Sequence, residues 1–199
     1  MHDLYKRIIN VPGVILEFGV RWGQNMALFQ AFRGMYEPYN YSRRVIGFDT
    51  FSGFPEVMKE DNLSTGAEVK EGDYTVQQNW QEALKKILKC HDLLSPLAHI
   101  QKWELVVGDA TSTFPRYLDS HPELIVAFAY FDFDIYKPTK ICLDLLRDRM
   151  PKGGIIAFDE LNCSEFPGET IAVQEILGIK NIKLERDANN PFVSWCEVR

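Results

Sequence analysis

The sequence predicts an α/β fold: a doubly wound, mostly parallel seven-stranded sheet with a closing antiparallel hairpin, in one domain spanning residues 1–199. Three observations carry this expectation. Five apolar runs, at 13–18, 44–49, 104–107, 125–132 and 154–159, are near-continuous rather than alternating, as in strands buried on both faces of a parallel sheet. Between them lie stretches with apolar residues at helical spacing, so strand and helix alternate along the chain. Two last strand-like segments, 182–186 and 192–198, flank the turn-rich Asp187-Ala188-Asn189-Asn190-Pro191 and read as a hairpin.

Taken in order, about one short helix precedes Gly13. The first strand, 13–18, runs through a glycine-containing turn into a helix over 24–35, and a second strand follows at 44–49. Residues 55–74 break the pattern, being rich in Glu, Asp, Lys, Gly and Ser; the segment is either a disordered surface loop or a lid over a ligand. Helices are expected at 76–90, 113–120 and 139–149, separating the strands at 104–107, 125–132 and 154–159.

Composition removes several function classes. With 46% hydrophobic and 25% charged residues, the chain reads as an ordinary soluble globular protein able to bury a core without staples. A net charge of -6 and the lack of a Lys/Arg cluster argue against nucleic acid as a partner. Cys90, Cys142, Cys163 and Cys196 are scattered without CxxC pairing, which fits reduced thiols and neither a disulfide framework nor a zinc site. The first ten residues mix charged and apolar side chains unlike a signal peptide, and no apolar run is long enough to span a bilayer. A cytoplasmic location is therefore expected.

In open α/β sheets, ligands sit beyond the carboxyl ends of the strands. After the first strand comes Glu17-Phe18-Gly19-Val20-Arg21-Trp22-Gly23, where Gly19 and Gly23 allow a tight turn and close approach to a ligand. The glycine spacing is not the GxGxxG phosphate fingerprint, which disfavours a nicotinamide-dinucleotide oxidoreductase. The second strand ends at Asp49, placed to accept both hydroxyls of a ribose diol; the third ends at Gly108-Asp109, placed to accept an exocyclic amino group. Each aspartate also has a purely structural reading as a turn residue or helix cap. Together these acidic strand ends suit an adenosine-type ligand without phosphates.

The segments Ala129-Tyr130-Phe131-Asp132-Phe133-Asp134-Ile135-Tyr136 and Gly153-Gly154-Ile155-Ile156-Ala157-Phe158-Asp159-Glu160 are the most informative. Each is an apolar strand ending in carboxylates, so folding brings Asp132, Asp159 and Glu160 to one sheet edge. Crowded carboxylates at an apolar rim repel one another and call for a cation, for which a hard divalent metal is the natural candidate. The alternative is that they cap helices or pair with Lys137.

These segments, with Phe48-Asp49-Thr50-Phe51-Ser52-Gly53-Phe54-Pro55 and Glu17-Phe18-Gly19-Val20, resemble class I S-adenosylmethionine-dependent methyltransferases, which have a Rossmann-like fold. More narrowly, they are similar to the macrocin O-methyltransferase (TylF-like) family, whose members methylate sugar hydroxyls; the resemblance covers nearly the whole chain from Gly13. It implies that Glu17, Gly19 and Gly23 border the methionine part of the cofactor, Asp49 its ribose and Asp109 its adenine. It implies a metal triad at Asp132, Asp159 and Glu160, the last departing from the usual Asp by one methylene. The family carries extra amino-terminal helices, so substrate recognition here is expected to lean on 55–74, on 162–169, or on a partner subunit. Of the nearby aromatics, Trp22 is taken as a cofactor-site residue.

The implied reaction is methyl transfer to a deoxyhexose hydroxyl of a surface glycan or secondary metabolite. Magnesium suits the all-oxygen site, with manganese or calcium as alternatives. Asp132 is the expected proton acceptor and Lys137 its competitor, by similarity to catechol-type enzymes and only with a pKa lowered by desolvation. Asp134 either caps the helix near Pro138 or touches substrate. None of His2, His91, His99 or His121 falls at a strand end. A catechol or phenol methyltransferase and a non-catalytic S-adenosylmethionine-binding module are the competing readings, and a homodimer is the default assembly.

Overall fold

A computed structural model describes residues 1–63, 68–186 and 190–199. Its elements are α1 (His2–Ile8), β1 (Val14–Phe18), α2 (Gln24–Tyr36), β2 (Val45–Asp49), α3 (Trp80–Leu93), β3 (Trp103–Val107), α4 (Ala110–Ser120), β4 (Val126–Phe131), α5 (Tyr136–Leu146), β5 (Ile155–Phe158), α6 (Pro167–Ile176), β6 (Glu185–Arg186) and β7 (Ser194–Glu197).

All seven strands form one sheet in the order β3-β2-β1-β4-β5-β7-β6. The first five are mutually parallel, while β7 runs antiparallel to β5 and β6. This is the expected doubly wound sheet with its closing hairpin; part of the hairpin turn, 187–189, lies outside the described residues.

The continuous apolar runs are explained by burial on both faces. Leu16 and Phe18 of β1 point into a layer with Phe48, Phe114, Phe131 and Phe158. Ile15 points into the other, with Tyr5, Met26, Phe29, Leu88 and Phe128. Phe18 sits at the centre of an aromatic cluster, with ring centroids 4.7 Å from Phe131, 5.0 Å from Phe114 and 5.3 Å from Phe48. The α1–β1 connection is held by fully buried Arg43, which donates to the carbonyls of Ile8, Val11 and Gly13 and pairs with Glu37 at 3.0 Å.

Several boundaries differ from the sequence expectation for local reasons. Helix α4 starts at Ala110 rather than 113 because Asp109 caps it, its side chain accepting the Thr111 N–H. Helix α3 starts at Trp80, after Asn79 in a left-handed conformation (φ 63°). Helix α6 was not anticipated; residues 162–169 read as a recognition loop, whereas Pro167 sits in the first turn and opens a helix. Strand β6 is only two residues long, shorter than the apolar pattern at 182–186 suggests.

Strand order reverses between β1 and β4, which creates the crevice. There the backbones nearly touch: Gly19 N–H donates to Phe48 O at 2.9 Å and Asp132 N–H donates to Phe18 O at 2.7 Å. Gly19 has φ 91°, and a Cβ there would lie 1.8 Å from the Asp132 carbonyl oxygen. No other residue type fits this joint. Among the described residues, no helix is long and apolar enough to cross a membrane.

Candidate active site

A cleft of about 250 Å³ opens at the carboxyl ends of the parallel strands. That is just under the roughly 300–1,000 Å³ usual for small-molecule sites. Its walls include Gly19, Trp22, Asp49, Asp109, Asp132, Asp134, Asp159 and Glu160, which sequence positions alone do not bring together.

One wall is the β1–α2 turn, and Asp49 organises it. Its Oδ2 accepts the Val20 and Arg21 N–H groups at 2.7 Å each, and Oδ1 accepts the Phe51 N–H at 2.6 Å. Of roughly four acceptor directions on a carboxylate, about one is left for a ligand, fewer than the pair a ribose diol would use. Asp109 is likewise engaged, capping α4 through Thr111 N–H (2.9 Å) and Thr111 Oγ1 (2.7 Å) while it lines the cleft. Trp22 is 41% exposed, its ring edge-on to Trp80 at 5.2 Å.

Glu17 and Gly23 are not lining residues. Glu17 is buried in β1 beneath the start of α2, and its Oε2 has no partner. Burial, then the charges of Asp132 and Asp49, push its pKa well up against the opposing bonds from Asn25 and Met26. Gly23 (φ 80°) shapes the turn, since a Cβ there would meet the Leu84 Cδ1 at 2.3 Å.

The opposite wall is acidic. Burial, reinforced by Asp159, Asp134 and Glu160, raises Asp132 well above the usual carboxylate range. Asp134 is pushed up to about 7 by burial and then by Glu160 and Asp159; Glu160 is pushed up to about 7 by burial and then by Asp159 and Glu165. Arg21 is the cation that opposes the shift at both Asp132 and Asp134. Glu160 Oε2 is buried without a partner. An all-oxygen, anionic and electrostatically frustrated donor set fits a hard cation by its chemistry. Nevertheless, among the described residues no three His, Cys, Asp or Glu side chains form a group that could hold a metal ion. Asp132, Asp159 and Glu160 share the cleft without forming the ligand sphere expected of them.

Lys137 requires correction. It does not line the cleft and is paired with Glu56. The bond from Glu56 raises its pKa, the reverse of the desolvated base that the catechol-type reading needs.

Four side chains escaped sequence reasoning. Tyr130 O–H donates to Asp159 Oδ1. Tyr130 lies two positions before Asp132 and thus on the same side of the strand, a signal that strand periodicity offered. Fully buried Glu169 accepts the Glu160 N–H at 3.2 Å; it belongs to the unanticipated α6 and could not have been placed. The Arg21 guanidinium lies over the Tyr74 ring, which also meets Phe54 at 5.3 Å and Phe166 at 5.9 Å. Arg21, Tyr74 and Asp134, which line the cleft, all have left-handed φ of 47–63°. Strained non-glycine residues gathered around one cleft are characteristic of functional sites.

The segment 55–74 closes this side. Phe54 N–H donates to Asp73 O and Gly72 N–H to Phe54 O, both at 3.0 Å, so its two limbs are zipped at the base. Residues 64–67 of the expected lid lie outside the described residues.

The chain's family and fold have known counterparts. The family model described as macrocin-O-methyltransferase (TylF) matches residues 1–185. The crystal structure of CalS11, a calicheamicin methyltransferase, is similar with a TM-score of 0.94 and 42% identity, over 98% of this chain and 76% of that one. An apo structure of CalS11, described as a TDP-rhamnose 3'-O-methyltransferase of calicheamicin biosynthesis, gives 0.84 and 39% over 98% and 75%. The O-methyltransferase NovP, at 20% identity and a TM-score of 0.68 over 98% of this chain and 76% of its own, shares the fold. No curated protein sequence matches the chain.

Proposed function

Because this chain belongs to the macrocin-O-methyltransferase (TylF) family and is an O-methyltransferase, we propose that it transfers a methyl group from S-adenosylmethionine to a hydroxyl of a deoxyhexose. The observation that carries this reading is the meeting in one cleft of two acidic strand ends, Asp49 and Asp109, with the carboxylates Asp132, Asp159 and Glu160. The first set, braced within its own turns and left with an open acceptor direction on each carboxylate, suits single hydrogen bonds to the nucleoside of the donor; the second suits a polyhydroxylated acceptor. CalS11 is described as acting on TDP-rhamnose, which supports an activated deoxysugar as the acceptor here.

Transfer from a sulfonium requires an oxygen nucleophile held in line with the methyl group, and positioning supplies much of the acceleration. The β1–α2 turn, braced by Asp49, receives the donor, with Trp22 against it. Asp132 accepts the acceptor's proton: a carboxylate raised by burial is a stronger base than one in water. Tyr130 orients Asp159, and Glu169 holds the Glu160 backbone. Asp132, Asp159 and Glu160 are not grouped as ligands on their own, and a divalent ion such as magnesium would have to draw them together on binding; it would then supply the charge that keeps them ionised and polarise a sugar hydroxyl.

The test is mass spectrometry of a panel of TDP-deoxyhexoses incubated with protein and S-adenosylmethionine. A monomethylated sugar with loss of the donor supports the reading; turnover only with phenols or catechols refutes it. A homodimeric, cytoplasmic enzyme belongs to the same proposal, and light scattering of the purified protein checks the assembly.

A further inference from the structure

Helix α5 begins immediately after the segment that carries Asp132 and Asp134, and its N-cap residue, Ile135, makes no side-chain cap. The first amides of a helix must find partners outside it, and Pro138 contributes none of its own. Asp61 supplies the missing acceptor from 75 residues earlier in the chain. Its Oδ1 accepts the Tyr136 N–H at 2.6 Å while Oδ2 accepts the Met58 N–H at 2.8 Å, and the side chain is almost fully buried. A carboxylate here also faces the positive end of the α5 dipole.

The receiving surface is cut to fit. A Cβ on Gly168, in the first turn of α6, would lie 1.9 Å from Asp61 Oδ1 and 2.6 Å from the Tyr136 nitrogen. Beside Asp61, Asn62 exchanges two hydrogen bonds with Val69, at 2.8 and 3.1 Å, and so grips the returning limb of the loop. A second fastening is the Glu56–Lys137 pair. On one side of this joint, Phe54 and Tyr74 line the cleft; on the other, Asp132, Asp134, Ile135 and Pro138 do. Asp61 itself is not a lining residue.

We propose that Asp61 is a positioning residue for methyl transfer: by capping α5 from the 55–74 loop, it sets the Phe54–Tyr74 wall and the Asp132–Ile135 segment as one unit. This rests on the methyl-transfer reading above. Its consequence is that the acceptor side of the cleft depends on the joint more than the donor side does.

Three variants test it: Asp61→Ala, Asp61→Asn and Gly168→Ala. Hydrogen exchange is followed at 54–63 and at 136–139, with donor affinity by calorimetry and acceptor kinetics. In Asp61→Ala, both segments exchange faster together by about tenfold or less, the scale of a lost helix cap. Acceptor kcat/KM falls by about 10- to 100-fold, as expected for a displacement near 1 Å. Donor affinity changes by less than about fivefold, since the donor turn is braced by Asp49 and meets the Phe54–Tyr74 wall through the Arg21–Tyr74 cation–π contact. Asp61→Asn keeps one of the two acceptors and recovers part of the loss. Gly168→Ala reproduces the effect with the carboxylate intact. Faster exchange at 54–63 with 136–139 and acceptor kinetics unchanged overturns the proposal, as does a parallel loss of donor and acceptor binding. Exchange needs no acceptor, so a wild-type protein inert toward every sugar would sink the sugar reading while coupled or uncoupled exchange still decides on Asp61.

Discussion

The guanidinium of Arg21 lies 4.3 Å over the ring of Tyr74, and both residues hold left-handed backbone conformations. Arg21 comes from the turn after β1 and Tyr74 from the end of the long loop, so this contact closes one side of the cleft across the chain. It also keeps a cation near Asp132 and Asp134, whose pKa values Arg21 opposes.

Removing that contact should act on the acceptor. A cation–π pair at an exposed site is worth about 0.5–1 kcal/mol, so Tyr74→Ala is expected to raise the acceptor KM several-fold. Tyr74→Phe retains the ring and should behave close to wild type. Equal losses in both variants would assign the effect to the hydroxyl.

Stability should depend on pH in an unusual direction. Carboxylates are near 4 when unfolded, whereas Asp134 and Glu160 are pushed to about 7 in the fold and Asp132, Glu17 and Glu169 are also raised. Between those values the folded state binds more protons than the unfolded one, so stability is greatest at the acid end and falls as pH rises. In chelator-treated protein, Tm is expected to fall from pH 5 to pH 8. A Tm that climbs over this range contradicts the burial of the acidic wall. Magnesium added at pH 8 should recover part of the loss.

Asp132→Asn should abolish most turnover, by about 10²- to 10⁴-fold, the range for losing a positioned proton acceptor. Donor affinity, measured by calorimetry, should persist. Chelation should mimic the loss and magnesium reverse it; full activity in a chelator-stripped assay would dismiss the ion.

Lys137→Met is expected to turn over within about threefold of wild type, since an exposed ion pair contributes little. A collapse in kcat with a shifted alkaline limb of the pH–rate profile would reinstate the lysine as base.

Gly19→Ala should be far more damaging than its single methyl suggests. The added Cβ would overlap the Asp132 carbonyl at the β1–β4 joint, and the left-handed φ adds more than about 1 kcal/mol of strain. Donor binding and Tm should fall together.

The parallel strands and most of the helices were legible because continuous burial on two faces leaves an unbroken apolar run, as Val14–Phe18 and Val126–Phe131 show. Helix α6 was not, since a buried glutamate and polar flanks blur its apolar side. Asp109 illustrates the limit of local reading: its cap role and its place in the cleft are both present, and its sequence neighbourhood distinguishes neither.

The order of residue types along the chain was enough to specify which segments are strands, that their carboxyl ends are acidic, and hence where chemistry would gather. Strand periodicity and turn chemistry are local, so they can be read without a fold. Which carboxylates crowd one another, that Lys137 is taken by Glu56, and that Asp61 reaches the first amide of α5 depend on packing between segments far apart in sequence. Such contacts are set by the strand order and by how closely Gly19 and Gly168 let neighbouring segments approach, and these distances exist only once the sheet has closed.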